Sequence, residues 1–127
     1  MNSYLSRLKV ADLFLDTFPI TAHTTASDAL WVGLPVLTLA GKSMVSRVAG
    51  SLLTNINMKE LITYNYDDYK KMALKLSNDK NYYNEVRYRL QRERHSSPLF
   101  NTKQYTEDLE SIYTKLYKDF KNSFLNN

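Results

Sequence analysis

The chain has 127 residues, 43% of them hydrophobic and none of them cysteine, which allows one domain with a modest core and excludes disulfide bonds and cysteine-based zinc sites. The formal net charge is +4, but the basic residues are mixed with acids throughout, which is typical of a solvated surface and argues against a nucleic-acid partner. No apolar segment is long enough to span a bilayer and no signal peptide is evident, so we expect no membrane partner and a cytoplasmic location, or a nuclear one in a eukaryote.

Residues 11–39 organise the rest of the chain, because they read as strand, loop, helix and strand. The two strands are apolar runs at residues 13–15 and 36–39. The helix is an amphipathic segment at residues 26–32 that ends before Gly33, and glycine is a common helix exit. This order is typical of the βαβ unit of a parallel sheet.

The loop before this helix is the candidate functional site, because ligands of open α/β sheets bind at the carboxyl ends of the strands. Thr25 and Asp28 fit a capping box, and unpaired N–H groups at a helix start suit phosphate. The hydroxyls of Thr24 and Thr25 would add donors beside His23. Structural alternatives remain for each residue: His23 could fix the turn, the threonines could be simple caps, and Asp28 could only complete the capping box.

Outside residues 11–39 the pattern predicts helices rather than further strands. Two parallel strands do not make a stable sheet, so the chain is either a piece of a larger protein, which we favour, or borrows strands from a partner. Ser43 is expected to cap a helix, Trp31 to pack in the core, and the polar tail from Lys121 to fray. The predicted helices cover residues 3–9, 44–53, 58–62, 66–77 and 82–94, and a last one starts after Thr102 or Thr106.

Two other chemistries receive little support. Asp16, at the end of the first strand, could bind a metal or act as a base, but with only His23 and His95 and no cysteine we expect no dedicated metal site. The arginines within residues 87–94 could contact RNA, but helical geometry spreads them around the helix, so an exposed helix is the better interpretation.

The motifs in residues 15–38 strongly resemble the C-terminal catalytic region of O-linked N-acetylglucosamine transferases, the protein O-GlcNAc transferase or SPINDLY-like family. They read Leu-Asp-Thr, five residues, His-Thr-Thr, two residues, and Asp-Ala-Leu-Trp-x-Gly-x-Pro-Val-x-Thr. Ser-Arg-Val-Ala at residues 46–49 and Ser-Ser-Pro-Leu-Phe-Asn-Thr at residues 96–102 are similar to later signatures of that family. Related O-fucosyltransferases usually lack a histidine at the position of His23, which favours the N-acetylglucosamine branch.

The resemblance implies an α/β fold, the C-terminal Rossmann-like half of a glycosyltransferase B fold, with an incomplete parallel sheet followed by a helical C-terminal region. We expect residues 1–62 to be a truncated Rossmann-like nucleotide-sugar-binding part and residues 63–127 to be the helical part of the same domain. The family moves N-acetylglucosamine from UDP to Ser or Thr hydroxyls of proteins and inverts the anomeric centre. The resemblance implies UDP-GlcNAc as donor substrate, with no metal and no other cofactor.

The resemblance also implies roles for single residues. The positions of His23, Thr24 and Thr25 contact the diphosphate in this family, and the position of Asp28 holds the ribose. These roles agree with the anion site expected at the helix start.

Two further positions belong to the implied nucleotide-binding set. Arg7 matches a family arginine near the uracil, and Tyr4 stands where many members have histidine, so base stacking there is expected to differ. The family's tetratricopeptide repeats, N-terminal catalytic half and essential lysine lie upstream of the matched region. We therefore expect a UDP-sugar as partner, acceptor proteins bound through those upstream regions, and no activity of this chain alone. The alternative is a non-catalytic protein-binding module that retains the fold; an RNA-binding role ranks third.

Overall fold

A small parallel sheet and a set of helices make up the described part of the chain. The computed structural model describes the backbone of residues 2–125 and the side chains of residues 3–124. Short 3₁₀ turns lie at Met44–Ser46, Lys59–Leu61 and Pro98–Phe100. The helices and strands are α1 (Asn2–Leu8), β1 (Phe14–Leu15), α2 (Thr24–Trp31), β2 (Val36–Leu39), α3 (Val48–Asn55), β3 (Ile62–Thr63), α4 (Tyr66–Asn78), α5 (Lys80–Ser96) and α6 (Thr102–Leu125).

The sheet has the order β1-β2-β3, and both pairs of strands are parallel. Phe14 pairs with Val36, and Thr38 pairs with Ile62. All four residues of β2 are buried, as expected for the central strand of a parallel sheet that is covered on both faces. The predicted βαβ unit is therefore present, with α2 connecting the edge strand β1 to the central strand β2.

The third strand was not predicted. Residues 58–62, expected to form a helical turn, contain the 3₁₀ turn Lys59–Leu61 and the first residue of β3. A strand of two residues is too short to show a periodic pattern, and it exists because it pairs with β2: the N–H of Ala40 donates to the carbonyl of Thr63 at 2.8 Å. β3 spans the predicted domain division at residue 62, and that division stays a prediction.

The predicted helix over residues 44–53 is divided at Arg47 into a 3₁₀ turn and α3. The division has a local cause. The hydroxyl of Ser46 donates to the carbonyl of Ser43 at 2.8 Å, and the carbonyl of Ser46 accepts from the N–H of Gly41 at 3.1 Å. This carbonyl is therefore turned towards the loop after β2. Ser43 precedes the 3₁₀ turn but makes no side-chain capping hydrogen bond, so the predicted cap is wrong.

The exit of α2 at Gly33 is confirmed. Gly33 has a φ of +82°, a conformation that glycine adopts without the steric cost of a Cβ atom. The N–H of Gly33 donates to Leu30 at 3.1 Å, and the N–H of Leu34 donates to Ala29 at 2.9 Å. These two bonds form a Schellman motif, which ends α2 and turns the chain into β2.

The helices α4 and α5 follow the prediction closely, because the residues before them are strong capping residues. Asn65 accepts from the N–H of Asp68 at the start of α4, and Asp79 accepts from the N–H of Tyr82 at the start of α5. Val86 and Leu90 of α5 are buried, as their spacing indicates.

The hydrophobic core lies between the sheet and the helices α2, α3, α4 and α5. Trp31 does not belong to its buried part: 47% of its surface is exposed, and its ring lies edge-on against Phe100 with the ring centres 5.1 Å apart. The prediction of a core tryptophan is wrong because its neighbour Leu30, completely buried, faces the core instead. The buried apolar residues include Ala26, Ala29, Leu30, Val36, Leu37, Ala49, Leu53, Ile56, Met58, Leu61, Leu76, Val86 and Leu90.

The last helix, α6, continues to Leu125, and the expected fraying from Lys121 stays a prediction. Residues 126 and 127, the end of that tail, lie outside the described residues. The large apolar side chains of α6 share one helical face, yet they are exposed. Within residues 2–125, no helix combines the length and the hydrophobicity needed to cross a bilayer. The exposed side chains of this face are Tyr105, Ile112, Tyr113, Leu116, Tyr117, Phe120 and Phe124.

Candidate functional site

The start of α2 lies where the sequence places the site, after the carboxyl end of β1. His23 immediately precedes the helix, and Thr24 and Thr25 are its first two residues. All three are exposed. The predicted capping box is wrong, because Thr25 lies inside the first turn instead of before it, where its side chain cannot act as the cap.

The backbone N–H groups at the start of α2 have no capping partner. The first helical bond at this end joins the N–H of Ser27 to the carbonyl of His23 at 3.1 Å. The N–H groups of Thr24, Thr25 and Ala26 therefore have no partner within the helix, and His23 provides no side-chain cap. Free donors and the positive end of the helix dipole together make this turn suitable for an anion.

The polar side chains around this turn are also unengaged. Within the described residues, no hydrogen bond is formed by the hydroxyls of Thr24 and Thr25, the imidazole of His23 or the carboxylate of Asp28. Asp28 is half-buried and lies one turn further along the helix. Hydrogen-bond donors at His23, Thr24 and Thr25 are thus followed, one helical turn later, by an acceptor at Asp28.

Arg7 and Tyr4 lie on α1, which packs against α2. They are three positions apart and so share one face of α1. Arg7 is exposed and Tyr4 is half-buried. Among the described residues, no hydrogen bond or ion pair connects either side chain to the residues at the start of α2. The structure therefore brings the two helices into contact but does not join their predicted site residues directly.

The exposed residues at the start of α2 do not line the cavity found at the other end of this helix. A cavity of about 480 Å³ is lined by Lys9, Trp31, Arg94 and His95, among others. Trp31 is the last residue of α2, about 10 Å along the helix from its start, so this cavity lies at the opposite end of α2 from His23.

The carboxylate of Asp16, which the sequence left with little support as a metal ligand or base, is engaged by donors of the chain. The residue is 6% exposed; Oδ1 accepts from the N–H groups of Thr17 and Ala22, and Oδ2 accepts from the hydroxyl of Thr38 at 2.6 Å. A carboxylate surrounded by three donors has a structural role. Residues 2–125 contain no group of three or more histidine, cysteine, aspartate or glutamate residues placed to hold a metal ion.

A tyrosine of α4 supports the same corner, and sequence reasoning missed it. The hydroxyl of Tyr69 donates to the carbonyl of Asp16 at 2.8 Å. Burial raises the pKa of Tyr69 above its usual value, and the carboxylate of Asp16 raises it further, so the hydroxyl keeps its proton. In the sequence, Tyr69 looks like an ordinary residue on one face of a helix, so nothing there indicates its bond to Asp16. Thr38 did carry a signal for the role of Asp16, because a polar side chain within a buried strand needs a hydrogen-bond partner.

Comparisons with known proteins identify the family. The sequence profile described as glycosyl transferase family 41 matches residues 2–109. A UDP-N-acetylglucosamine–peptide N-acetylglucosaminyltransferase of Caenorhabditis elegans is 34% identical over 120 residues, which is 94% of this chain and 10% of that protein. A probable enzyme of the same name, SEC, from Arabidopsis thaliana is 32% identical over 117 residues, 91% of this chain and 12% of that protein.

A solved structure supports the fold assignment. A mutant O-GlcNAc transferase from Thermobaculum terrenum superposes with a TM-score of 0.88 and 32% identity, over 94% of this chain and 23% of that chain. The predicted fold class, the Rossmann-like half of a glycosyltransferase B fold with a parallel sheet followed by helices, is confirmed. This chain covers only about a tenth of the length of the curated relatives named above. With a family profile that covers most of its length and a matching fold, the chain belongs to glycosyl transferase family 41.

Proposed function

We propose that this chain supplies the nucleotide-sugar-binding part of a protein O-glycosyltransferase that moves N-acetylglucosamine from UDP-GlcNAc to Ser or Thr hydroxyls. The family supports glycosyl transfer, and the names of the matched relatives specify this donor and a peptide acceptor. The observation that carries the proposal is the uncapped start of α2, where free backbone N–H groups and two threonine hydroxyls follow His23.

In this proposal the diphosphate of UDP binds at the start of α2. The N–H groups and hydroxyls of Thr24 and Thr25 donate to its oxygens, and His23 adds a ring N–H. UDP is the leaving group of the transfer, so negative charge grows on the diphosphate as the sugar departs. Fixed donors at a helix start stabilise that charge without having to reorient, so this mode of binding requires no metal ion.

The nucleoside would extend from the diphosphate towards α1. The carboxylate of Asp28 accepts hydrogen bonds from the ribose hydroxyls, and its lack of a described partner leaves both oxygens free for this role. Arg7 and Tyr4, on the helix that packs against α2, would lie near the uracil. The donors for the phosphate and the acceptor for the ribose would then follow the order of these groups in UDP.

The remaining parts of the enzyme are assigned to sequence outside this chain. The relative from C. elegans is about ten times as long as the region matched here. We assign the acceptor site, the tetratricopeptide repeats and the lysine that assists the diphosphate to such regions. The proposal therefore includes an inverting reaction in a complete cytoplasmic enzyme and no transferase activity of these 127 residues alone.

A titration of the ¹⁵N-labelled chain with UDP, followed by ¹H–¹⁵N NMR, tests the proposal. We expect the amide signals of Thr24, Thr25 and Ala26 to shift most, because these N–H groups would gain a charged acceptor. Sodium chloride at matched ionic strength is the control and should leave these signals in place. Shifts confined to α4, α5 and α6, or no shifts at all, would count against the proposal.

A second candidate function is a non-catalytic protein-binding module that retains the fold. The exposed apolar face of α6 favours it, because exposed patches of this kind commonly mark interaction sites. The NMR titration separates the two candidates: a module of this kind would not respond to UDP at the start of α2.

A further inference from the structure

A buried carboxylate fixes the loop that leads from β1 to the start of α2. Asp16 lies at the end of β1, and its Oδ1 accepts from the N–H of Ala22 at 2.8 Å and from the N–H of Thr17 at 2.9 Å. Its Oδ2 accepts from the hydroxyl of Thr38 in β2 at 2.6 Å. One side chain thereby joins the first strand, the central strand and both ends of the loop.

The same loop is held from a second side. Thr21 donates its N–H at 3.0 Å and its hydroxyl at 2.8 Å to the carbonyl of Val45, and its hydroxyl oxygen accepts from the N–H of Ala49 at 3.4 Å. Thr21 is 3% exposed. The two residues before His23 are therefore each fixed, one to the start of α3 and one to Asp16.

Asp16 is suited to act on an anion only indirectly. Its own negative charge would repel a diphosphate, and all three of its hydrogen bonds go to donors of the chain. Loss of the carboxylate would leave the N–H of Ala22 and the buried hydroxyl of Thr38 without partners, and the loop would lose this side-chain connection to β2. His23 directly follows Ala22, so the loss would reach the proposed diphosphate site through the backbone.

We propose that Asp16 is a positioning residue for the diphosphate site: its hydrogen bond to Ala22 holds His23, Thr24 and Thr25 in place at the end of the sheet. This inference rests on the proposed function. Each hydrogen bond from this turn to a charged diphosphate is worth about ten- to a hundredfold in affinity, so a displacement that weakens one of them should be measurable.

The variants Asp16→Ala and Asp16→Asn test the inference in the 127-residue chain. Asparagine keeps an oxygen for the N–H groups of Thr17 and Ala22, and the hydroxyl of Thr38 can rotate to accept from its amide. We expect Asp16→Ala to weaken UDP binding by about ten- to a hundredfold in calorimetry, the loss of about one hydrogen bond to the charged ligand, and Asp16→Asn to stay within about threefold of the wild type. Equal losses in both variants, or no loss in Asp16→Ala, would overturn the proposal.

Two buried threonines provide a matched pair that separates positioning from stability. The hydroxyl of Thr38 contacts Asp16, whereas the hydroxyl of Thr63 donates to the carbonyl of Thr38 at 2.9 Å and does not contact Asp16. Both valine variants should lower the melting temperature, but only Thr38→Val should weaken UDP binding. Similar affinities in the two variants would overturn the proposal, and this comparison remains available if Asp16→Ala does not fold.

Hydrogen exchange at Ala22 separates this inference from the proposed function. If the wild-type chain binds no UDP, the proposed function fails. Amide hydrogen exchange at Ala22 can still show whether Asp16 fixes the loop. Faster exchange of the Ala22 amide in Asp16→Ala than in the wild type, with unchanged exchange in α5, would support it. Unchanged exchange at Ala22 would overturn it.

Discussion

Replacing Leu30 with alanine is expected to lower the free energy of unfolding by about 2–5 kcal/mol, the range found when a buried leucine is truncated. Leu30 is completely buried in α2 and belongs to the core cluster. The substitution removes apolar contacts and leaves a cavity where the helix that carries the candidate site packs against the sheet. Urea denaturation followed by far-UV circular dichroism measures the change.

Leu74→Ala is the matched control, because Leu74 lies in α4 with 51% of its surface exposed. The same change of side chain should cost less than about 1 kcal/mol there, since little apolar surface is lost from a packed interior. The milder variant Leu30→Val provides a graded loss if alanine prevents folding. Equal costs at positions 30 and 74 would contradict the packing described for α2.

Thr25→Val is expected to weaken UDP binding by roughly ten- to a hundredfold. The variant removes one hydrogen bond to a charged group, which is worth about 1.5–3 kcal/mol. Valine nearly preserves the shape of threonine and has a similar helix propensity, and Thr25 does not cap the helix, so α2 should still form. Isothermal titration calorimetry measures the affinity, and a urea transition confirms that stability is unchanged to within about 0.5 kcal/mol.

Thr114→Val makes the same chemical change on the exposed surface of α6, far along the chain from the candidate site. It should leave UDP affinity unchanged. If Thr25→Val binds UDP as tightly as Thr114→Val, the hydroxyl of Thr25 does not bind the phosphate, even if UDP binds elsewhere on the chain.

The sequence was sufficient for elements whose determinants are local. The exit of α2 follows from Gly33, because glycine accepts the positive φ at low cost, and the starts of α4 and α5, predicted to within two residues, lie directly after the capping residues Asn65 and Asp79. The buried strand β2 could be predicted because a continuous apolar run is the pattern of a strand covered on both faces. Each of these features is decided within a few residues of the chain.

Features that depend on distant partners were missed. β3 is a strand only because it pairs with β2, and the helix predicted over residues 44–53 is divided because Ser46 is bonded to Gly41. At the candidate site, His23, Thr24 and Thr25 were predicted as site residues because they follow a strand and precede a helix. The anchoring by Asp16 depends on Thr38, 22 positions away: a threonine in a buried strand signals that it needs a partner, but no local pattern identifies Asp16 as that partner.

A calorimetric comparison of UDP with uridine on this chain tests whether the start of α2 binds the diphosphate. The two ligands share the base and the ribose, so the difference between them isolates the diphosphate. We expect UDP to bind at least about tenfold more tightly than uridine, since even one charge-assisted hydrogen bond is worth that factor. Equal affinities for UDP and uridine would contradict this expectation.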